Sequence, residues 1–424
     1  MNIEISRLSN GLTIISDPMA SLESVALGVW VGTGSRDELP AEMGISHMLE
    51  HMAFKGTSSR SARQIAEEIE SVGGYVNAYT SREQTAFHVR ILKNDVKLAL
   101  DIIADILIHS TYETGELERE RQVVLQELGQ ARDTPDDIVF DHLQNVIYQN
   151  QPLGWPILGD EQTVTSFTPA ALRDYSGRRY RAGGMTLVAS GAVSHDEIVR
   201  IAEEKFAGLR PGSASASAAA HYVGGEMRVE QELEQAHIAY AFPGVAANDD
   251  DFYIAQLHAV ILGGGMSSRL FQEVREKRGL CYSIYAFTNN FQDGGFTGIY
   301  VGTGEDEAAD VSAVIAGEME GLAHAVSDAE LARAKAQLKS GLLMGLERPG
   351  SRAEQIAGQI FTFGRVQSIA EIVAQIERVS ASDIRRHAAR VMASPSIAAL
   401  GPVKKLERHD VFAARFARAP EAAE

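Results

Sequence analysis

Arg210-Pro211-Gly212-Ser213-Ala214-Ser215-Ala216-Ser217-Ala218-Ala219-Ala220 is a run of small residues without periodic apolar anchors, and it divides the 424-residue chain nearly in half. Such a stretch has little to bury and reads as a linker. Two halves of similar length raise the question of an internal repeat. On the N-terminal side an alternating region from Tyr75 to Ile91 leads into a helical pattern from Asn94 to His109, and a charged helical run opens at Glu116. On the C-terminal side Ile284 to Val301 leads into Glu305 to Ala325, and a charged run opens at Glu330. The order is the same, and a short connection such as Gln292-Asp293-Gly294-Gly295 suits an antiparallel hairpin. The expected fold is α+β: two homologous halves, each a mainly antiparallel sheet with helices packed on one face. The expected boundaries are residues 1–210, a linker at 211–226 and a second half at 227–424.

Apolar residues make up 45% and charged residues 23% of the chain, ordinary globular values. No uninterrupted apolar run approaches the roughly 20 residues of a membrane span. The N-terminus, Met1-Asn2-Ile3-Glu4-Ile5-Ser6-Arg7, lacks the charged and apolar regions of a secretory signal, so a cytoplasmic protein is expected. A single cysteine, Cys281, excludes an intrachain disulfide and a Cys-based zinc knuckle. Any metal must therefore take histidine and carboxylate. The net charge of −18 repels nucleic-acid phosphates and anionic lipids and attracts basic peptides, so neither nucleic acid nor membrane is an expected partner.

The two halves differ in chemistry. In Gly44-Ile45-Ser46-His47-Met48-Leu49-Glu50-His51-Met52-Ala53-Phe54-Lys55-Gly56, the apolar residues Ile45, Met48, Leu49 and Met52 follow the i, i+3, i+4, i+7 pattern of an amphipathic helix. His47 and His51 then project from one face, one turn apart, and can grip one ion. Glu50 lies between them in projection and can aim a carboxylate at a water on that ion without being a ligand. This His-x-x-Glu-His order inverts the better-known zinc helix. A hydrolytic zinc site wants three protein ligands and an open position. The charged run Thr114 to Glu127 supplies candidates, because Glu120 and Glu127 are seven apart on one helical face beside the apolar stripe Leu117, Val124 and Leu128. One would be the ligand; the other could hold a histidine or steady the charge of the site. A register based on Glu116 and Glu330 puts Gly341 opposite Glu127, so only one half carries a metal set.

Three stretches, His47 to Thr57, Asn77-Ala78-Tyr79-Thr80-Ser81-Arg82-Glu83-Gln84-Thr85 and Glu118 to Glu127, closely resemble the pitrilysin-type zinc peptidases. Within that family the likeness is greatest to the catalytic beta subunit of the mitochondrial processing peptidase and its bacterial relatives. The resemblance extends into the second half through Leu262 to Phe271 and Val274 to Ser283. It implies a zinc endopeptidase, with one Zn2+ per chain held by His47, His51 and Glu127, the last lying 76 residues after His51. It implies Glu50 as general base and Glu120 as an assisting acid. Asn77 and Ala78 fall where the family's edge strand pairs with a peptide backbone, a form of β-augmentation. Arg275 and Tyr282 match the non-zinc half's arginine and tyrosine, either of which can stabilise an oxyanion.

The resemblance also implies that Asp137 and Asp141, four apart on one helix face, hold an arginine two residues before the scissile bond, and that Phe54 favours an apolar residue after it. The expected substrate is an extended, basic peptide, and the expected assembly a homodimer enclosing an acidic cavity. The processing peptidase alpha subunit's long glycine-rich loop is missing, since Gly263-Gly264-Gly265 is only a short run. The alternative reading is a non-catalytic structural subunit of the same superfamily; such chains lose ligands or the base, and this one keeps His47, Glu50, His51 and Glu127.

Overall fold

Alternation of apolar side chains builds the strands, and burial on both of their faces decides how they are covered. The computed structural model describes residues 3–213 and 215–417; Ala214, within the expected linker, lies outside the described residues. The chain forms two compact units. The first draws on Met1–Gln130, Trp155–Ala218 and Leu343–Ser368, the second on Ala131–Gly154, Ala219–Leu342 and Ile369–Glu424. Each unit thus takes one segment from the opposite half of the sequence.

In the first unit, strands β1 (Glu4–Arg7), β2 (Thr13–Pro18), β3 (Ser24–Val31), β4 (Tyr75–Thr80), β5 (Thr85–Leu92) and β6 (Met185–Gly191) form a sheet of order β1-β2-β6-β3-β5-β4. In the second, β7 (Glu226–Glu230), β8 (Ala236–Pro243), β9 (Cys281–Asn290), β10 (Gly295–Thr303) and β11 (Ser396–Gly401) are ordered β7-β11-β8-β10-β9. Without β1 the two orders are the same: first, fifth, second, fourth, third. In each sheet the first and fifth strands run parallel and every other pair is antiparallel. The repeat is therefore one of topology, and the fold is α+β in two homologous halves.

The expected helical layer covers one face of each sheet. Ile14, Leu27, Val29, Phe87 and Val89 pack there with residues of the helix Val96–Ile108, and Ile238, Tyr240, Ile299 and Val301 with residues of the helices Phe252–Gly263 and Ala308–His324. The second face carries a helix as well. Ile15, Trp30, Ala86 and Val188 meet Ala353, Ile356 and Ala357 of the helix Pro349–Phe363. Ala239, Ala241, Tyr300 and Ala398 meet Val139, Leu143 and Ile147 of the helix Pro135–Ile147. A strand covered on both faces loses its polar alternation, which is why β6, β10 and β11 are buried along their whole lengths.

An ion pair anchors the exchanged helix of the first unit. Asp17, fully buried on β2, accepts both Nε and Nη2 of Arg352, the latter at 2.7 Å. The bidentate geometry satisfies both carboxylate oxygens.

The helix that carries Glu127 spans Thr114–Arg132 and stops before Thr134-Pro135, where a new helix begins. Pro135 lacks an N–H and pushes Thr134 out of the helical region, so Asp137 and Asp141 do not continue the glutamate helix. They remain four apart on their own helix, in the second unit.

Candidate active site

The motif helix spans Ile45–Ala53, with Met48, Leu49 and Met52 buried as its apolar stripe requires. It begins at Gly44, whose φ of +89° is left-handed and whose missing Cβ leaves room for the backbone of Leu158 and Gly159; an added Cβ would sit 2.7 Å from both. Gly44 offers no side-chain cap. Glu38 fills the role instead, accepting the backbone N–H groups of Gly44 and Ser46 at 2.8 Å each.

On this helix His47 and His51 face Glu127 of the Thr114–Arg132 helix. His47 Nε2 lies 3.6 Å and His51 Nε2 3.5 Å from Glu127 Oε2, and one ligand atom from each residue falls within 4.8 Å of the other two. A tetrahedral ion with arms of about 2.0–2.2 Å has edges of about 3.3–3.6 Å. Two imidazole nitrogens and one carboxylate oxygen at that spacing are a donor set that fits zinc. Among the described residues no other such group of three occurs.

The electrostatics suit it. Burial first, then the neighbouring His51, pushes His47 down to about 3, so its ring is neutral and its lone pair free at neutral pH. Glu120 Oε2 lies 3.0 Å from His51 Nδ1; a carboxylate can only accept, so Nδ1 carries the proton and Nε2 the lone pair. Burial raises the Glu50 carboxyl above its ordinary value, opposed by a hydrogen bond from Thr80 and by His51. Thr80 Oγ1 donates to Glu50 Oε2 at 2.6 Å.

Thr80 ends β4, which lies at the edge of its sheet. Asn77 and Ala78 sit on the same strand, Asn77 opposite His88 and Ala78 opposite Phe87 of β5. Alternation puts Ala78 and Thr80 on one face and Asn77 on the other, where its amide donates to Tyr75 Oη at 2.9 Å. Phe54 caps the motif helix and packs its ring 6.3 Å from that of Phe87, half-buried against the core. His47, Glu50, His51, Glu120 and Glu127 thus form one cluster, with Phe54, Asn77 and Ala78 on the elements that hold it.

The second unit holds the remaining candidates. Arg275 belongs to a π-helical turn, Phe271–Glu276, and its guanidinium stacks 4.7 Å from the ring of Phe271 and 5.2 Å from that of Tyr282. Wide turns of this kind are rare and often mark functional positions. Tyr282, 73% exposed, lies on the edge strand β9. Asp136 and Asp137 approach the aromatic face of the sheet: burial, then Asp136, Tyr285 and Asp137, pushes Tyr300 up to about 12. Asp141 follows one turn later on the same helix.

Sequence reading passed over two residues. Thr80 carries no motif chemistry of its own, although its two-residue step from Ala78 puts it on the Ala78 face of the strand. Lys55 continues the row of His47 and His51 at the next fourth position, a spacing visible in the sequence, and ion-pairs with Glu120.

Two repeated α+β units, one bearing an inverted histidine helix completed by a distant glutamate, define the metallopeptidase class to which this chain is similar. Residues 13–161 match the insulinase domain of peptidase family M16, and residues 166–338 match the peptidase M16 inactive domain. The chain belongs to peptidase family M16. It is 40% identical over 403 residues to an uncharacterized zinc protease of Rickettsia bellii, covering 95% of this chain and 98% of that one. It is 38% identical over 428 residues to a probable mitochondrial-processing peptidase subunit beta of Arabidopsis thaliana, covering 97% and 80%. In fold it is similar to a peptidase M16 inactive domain from Pseudomonas fluorescens, at TM-score 0.89 and 21% identity over 96% of this chain and 100% of that one. A protease from Helicobacter pylori gives TM-score 0.87 and 21% identity over 95% and 99%.

Proposed function

We propose that this chain is a zinc-dependent endopeptidase that cleaves extended, basic peptides, with one zinc per chain held by His47, His51 and Glu127. The observation that carries the reading is the convergence of these three donors beside Glu50, a carboxylate outside the donor set and tied to the edge strand by Thr80. Zinc, when bound, would supply Lewis acidity that polarises a peptide carbonyl and makes water nucleophilic near neutral pH. Glu50 takes the proton of the attacking water and returns it to the leaving amine nitrogen, a task that suits a carboxyl raised by burial. Glu120 holds His51 in the tautomer that leaves Nε2 free. The exposed edge of β4, at Asn77 and Ala78, pairs with the peptide backbone and reads no sequence.

In this reading the half at 1–210 does the metal chemistry, and the half at 227–424 supplies Arg275 and Tyr282 as donors to the oxyanion. Asp137 and Asp141 select an arginine before the cut and Phe54 an apolar residue after it. The assembly is a homodimer around an acidic cavity, supported by the charge of −18 and by one chain carrying both the metal set and the Arg/Tyr pair. The structural-subunit alternative is disfavoured by the complete set of His47, Glu50, His51 and Glu127. The test is peptide-cleavage mapping with and without a chelator, followed by zinc restoration. The proposal expects internal cuts that vanish on chelation and return with zinc; cuts that persist in a metal-free protein would contradict it.

A further inference from the structure

The two helices of the metal cluster form a ladder that runs past the donor set. His47, His51 and Lys55 follow one another at intervals of four, and Glu127 and Glu120 face them from the other helix seven apart. Glu127 spans His47 and His51, while Glu120 spans His51 and Lys55: its Oε2 meets His51 Nδ1 at 3.0 Å and its Oε1 meets Lys55 Nζ at 2.5 Å. Both Glu120 oxygens are thereby committed, and the side chain is only 6% exposed.

We propose that Lys55 is a positioning residue for the metal: acting through Glu120, it fixes the ring of His51 so that Nε2 points at the zinc site. The inference deepens the zinc reading above and rests on it. Two features of the chain support it. The motif helix ends at Ala53 and the backbone N–H of Lys55 still bonds back to Met52 O, so the last turn presents Lys55 close to the azimuth of His51. Glu120, by contrast, has a long side chain whose two oxygens are held by His51 and Lys55 of the motif segment, while its helix neighbour Arg119 ion-pairs with Glu116. Without Lys55, one oxygen loses its charged partner, and the carboxylate is free to rotate away from His51. Carboxylates that orient a metal-binding histidine typically change metal affinity 10- to 100-fold when perturbed.

The sign of the effect separates this role from a plain charge effect. A cation near a divalent metal repels it, so if Lys55 acted only by its charge, its removal would tighten zinc binding. If it acts through Glu120 and His51, its removal weakens zinc binding. The experiment is competition of the metal-free full chain with a zinc chelator, for wild type, Lys55→Met, Lys55→Arg, Glu120→Gln and the Lys55→Met/Glu120→Gln double variant. We expect Lys55→Met to bind zinc roughly 10- to 100-fold more weakly, Lys55→Arg to recover most of that loss, and Lys55→Met to add little in the Glu120→Gln background. Unchanged or tighter binding by Lys55→Met, or full additivity of the two substitutions, would overturn the proposal. A wild-type chain with no zinc affinity, or one whose affinity survives His47→Ala, would instead defeat the zinc reading beneath it. Thermal unfolding of the metal-free variants keeps the outcomes distinct, because a general folding defect lowers stability in Lys55→Arg and Lys55→Met alike.

Discussion

Thr80 Oγ1 donates a 2.6 Å hydrogen bond to Glu50 Oε2, joining the last residue of an edge strand to the acid between the two histidines. The strand assigned to bind the peptide and the group assigned to activate water are thus held in register. Thr80→Val keeps the shape and removes the donor. Its expected result is a fall in kcat of roughly 10- to 100-fold, the scale of an ångström-level misplacement, with zinc content unchanged and Thr80→Ser close to wild type. Steady-state kinetics with parallel metal analysis checks it.

Much of this cluster was legible in the sequence, for physical reasons. A four-residue spacing puts His47 and His51 on one face of any helix, and the apolar stripe showed which way that helix faces. The strand order was less accessible, but the matched succession of strands and helices in the two halves pointed to a repeated unit. What could not be read is long-range. Nothing local says that Pro349–Phe363 covers the sheet of the other half, since its small residues Ala353 and Ala357 suit any close helix–sheet contact. Pro135 is a local signal, legible in the sequence, that ends the Glu127 helix and places Asp137 and Asp141 on a separate one. The Glu120–Lys55 pair depends on how two helices align, which spacing within one helix does not contain.

Asp17 and Arg352 test the exchanged helix. Asp17 is fully buried and Arg352 binds it with two nitrogens. Asp17→Ala leaves a guanidinium without its partner, and the expected loss of stability is about 3–5 kcal/mol. Chemical denaturation monitored by Trp30, which packs under the same helix, reports it.

The second unit contains an acid-sensitive pair. His258 and His387 are fully buried with ring centroids 5.2 Å apart, and their ring nitrogens have no protein partner among the described residues. Burial, with Arg390 and Arg386, lowers His387 to about 4; burial, with His387 and Arg269, lowers His258 well below its ordinary value. Because the folded state holds these rings neutral while the unfolded chain protonates them below about pH 6.5, stability is full above that pH. It falls as the pH drops toward 4, by up to about 3 kcal/mol for His387 alone. Denaturation midpoints from pH 7 to 4.5 should fall for wild type and fall less steeply for His387→Leu, in which the buried His258 still resists protonation.

The proposed specificity assigns the arginine contact to Asp137 and Asp141, one turn apart on the helix Pro135–Ile147. Matched peptides with Arg or Ala two residues before the cut should differ in kcat/KM by roughly 10-fold or more in wild type, the scale of a charge-assisted pair worth about 1.5–3 kcal/mol. The preference should shrink as salt rises and be lost in Asp137→Asn/Asp141→Asn. Equal discrimination by both proteins would remove these residues from substrate recognition.

The most direct test of the central claim is the turnover of Glu50→Gln at measured zinc content. Glutamine keeps the size of the side chain and the Thr80 contact but cannot accept a proton from water. The account predicts about one zinc per chain, as in wild type, and peptide hydrolysis reduced by roughly 10²- to 10⁴-fold, the usual contribution of a general base. Hydrolysis within a few-fold of wild type at full zinc occupancy would contradict it.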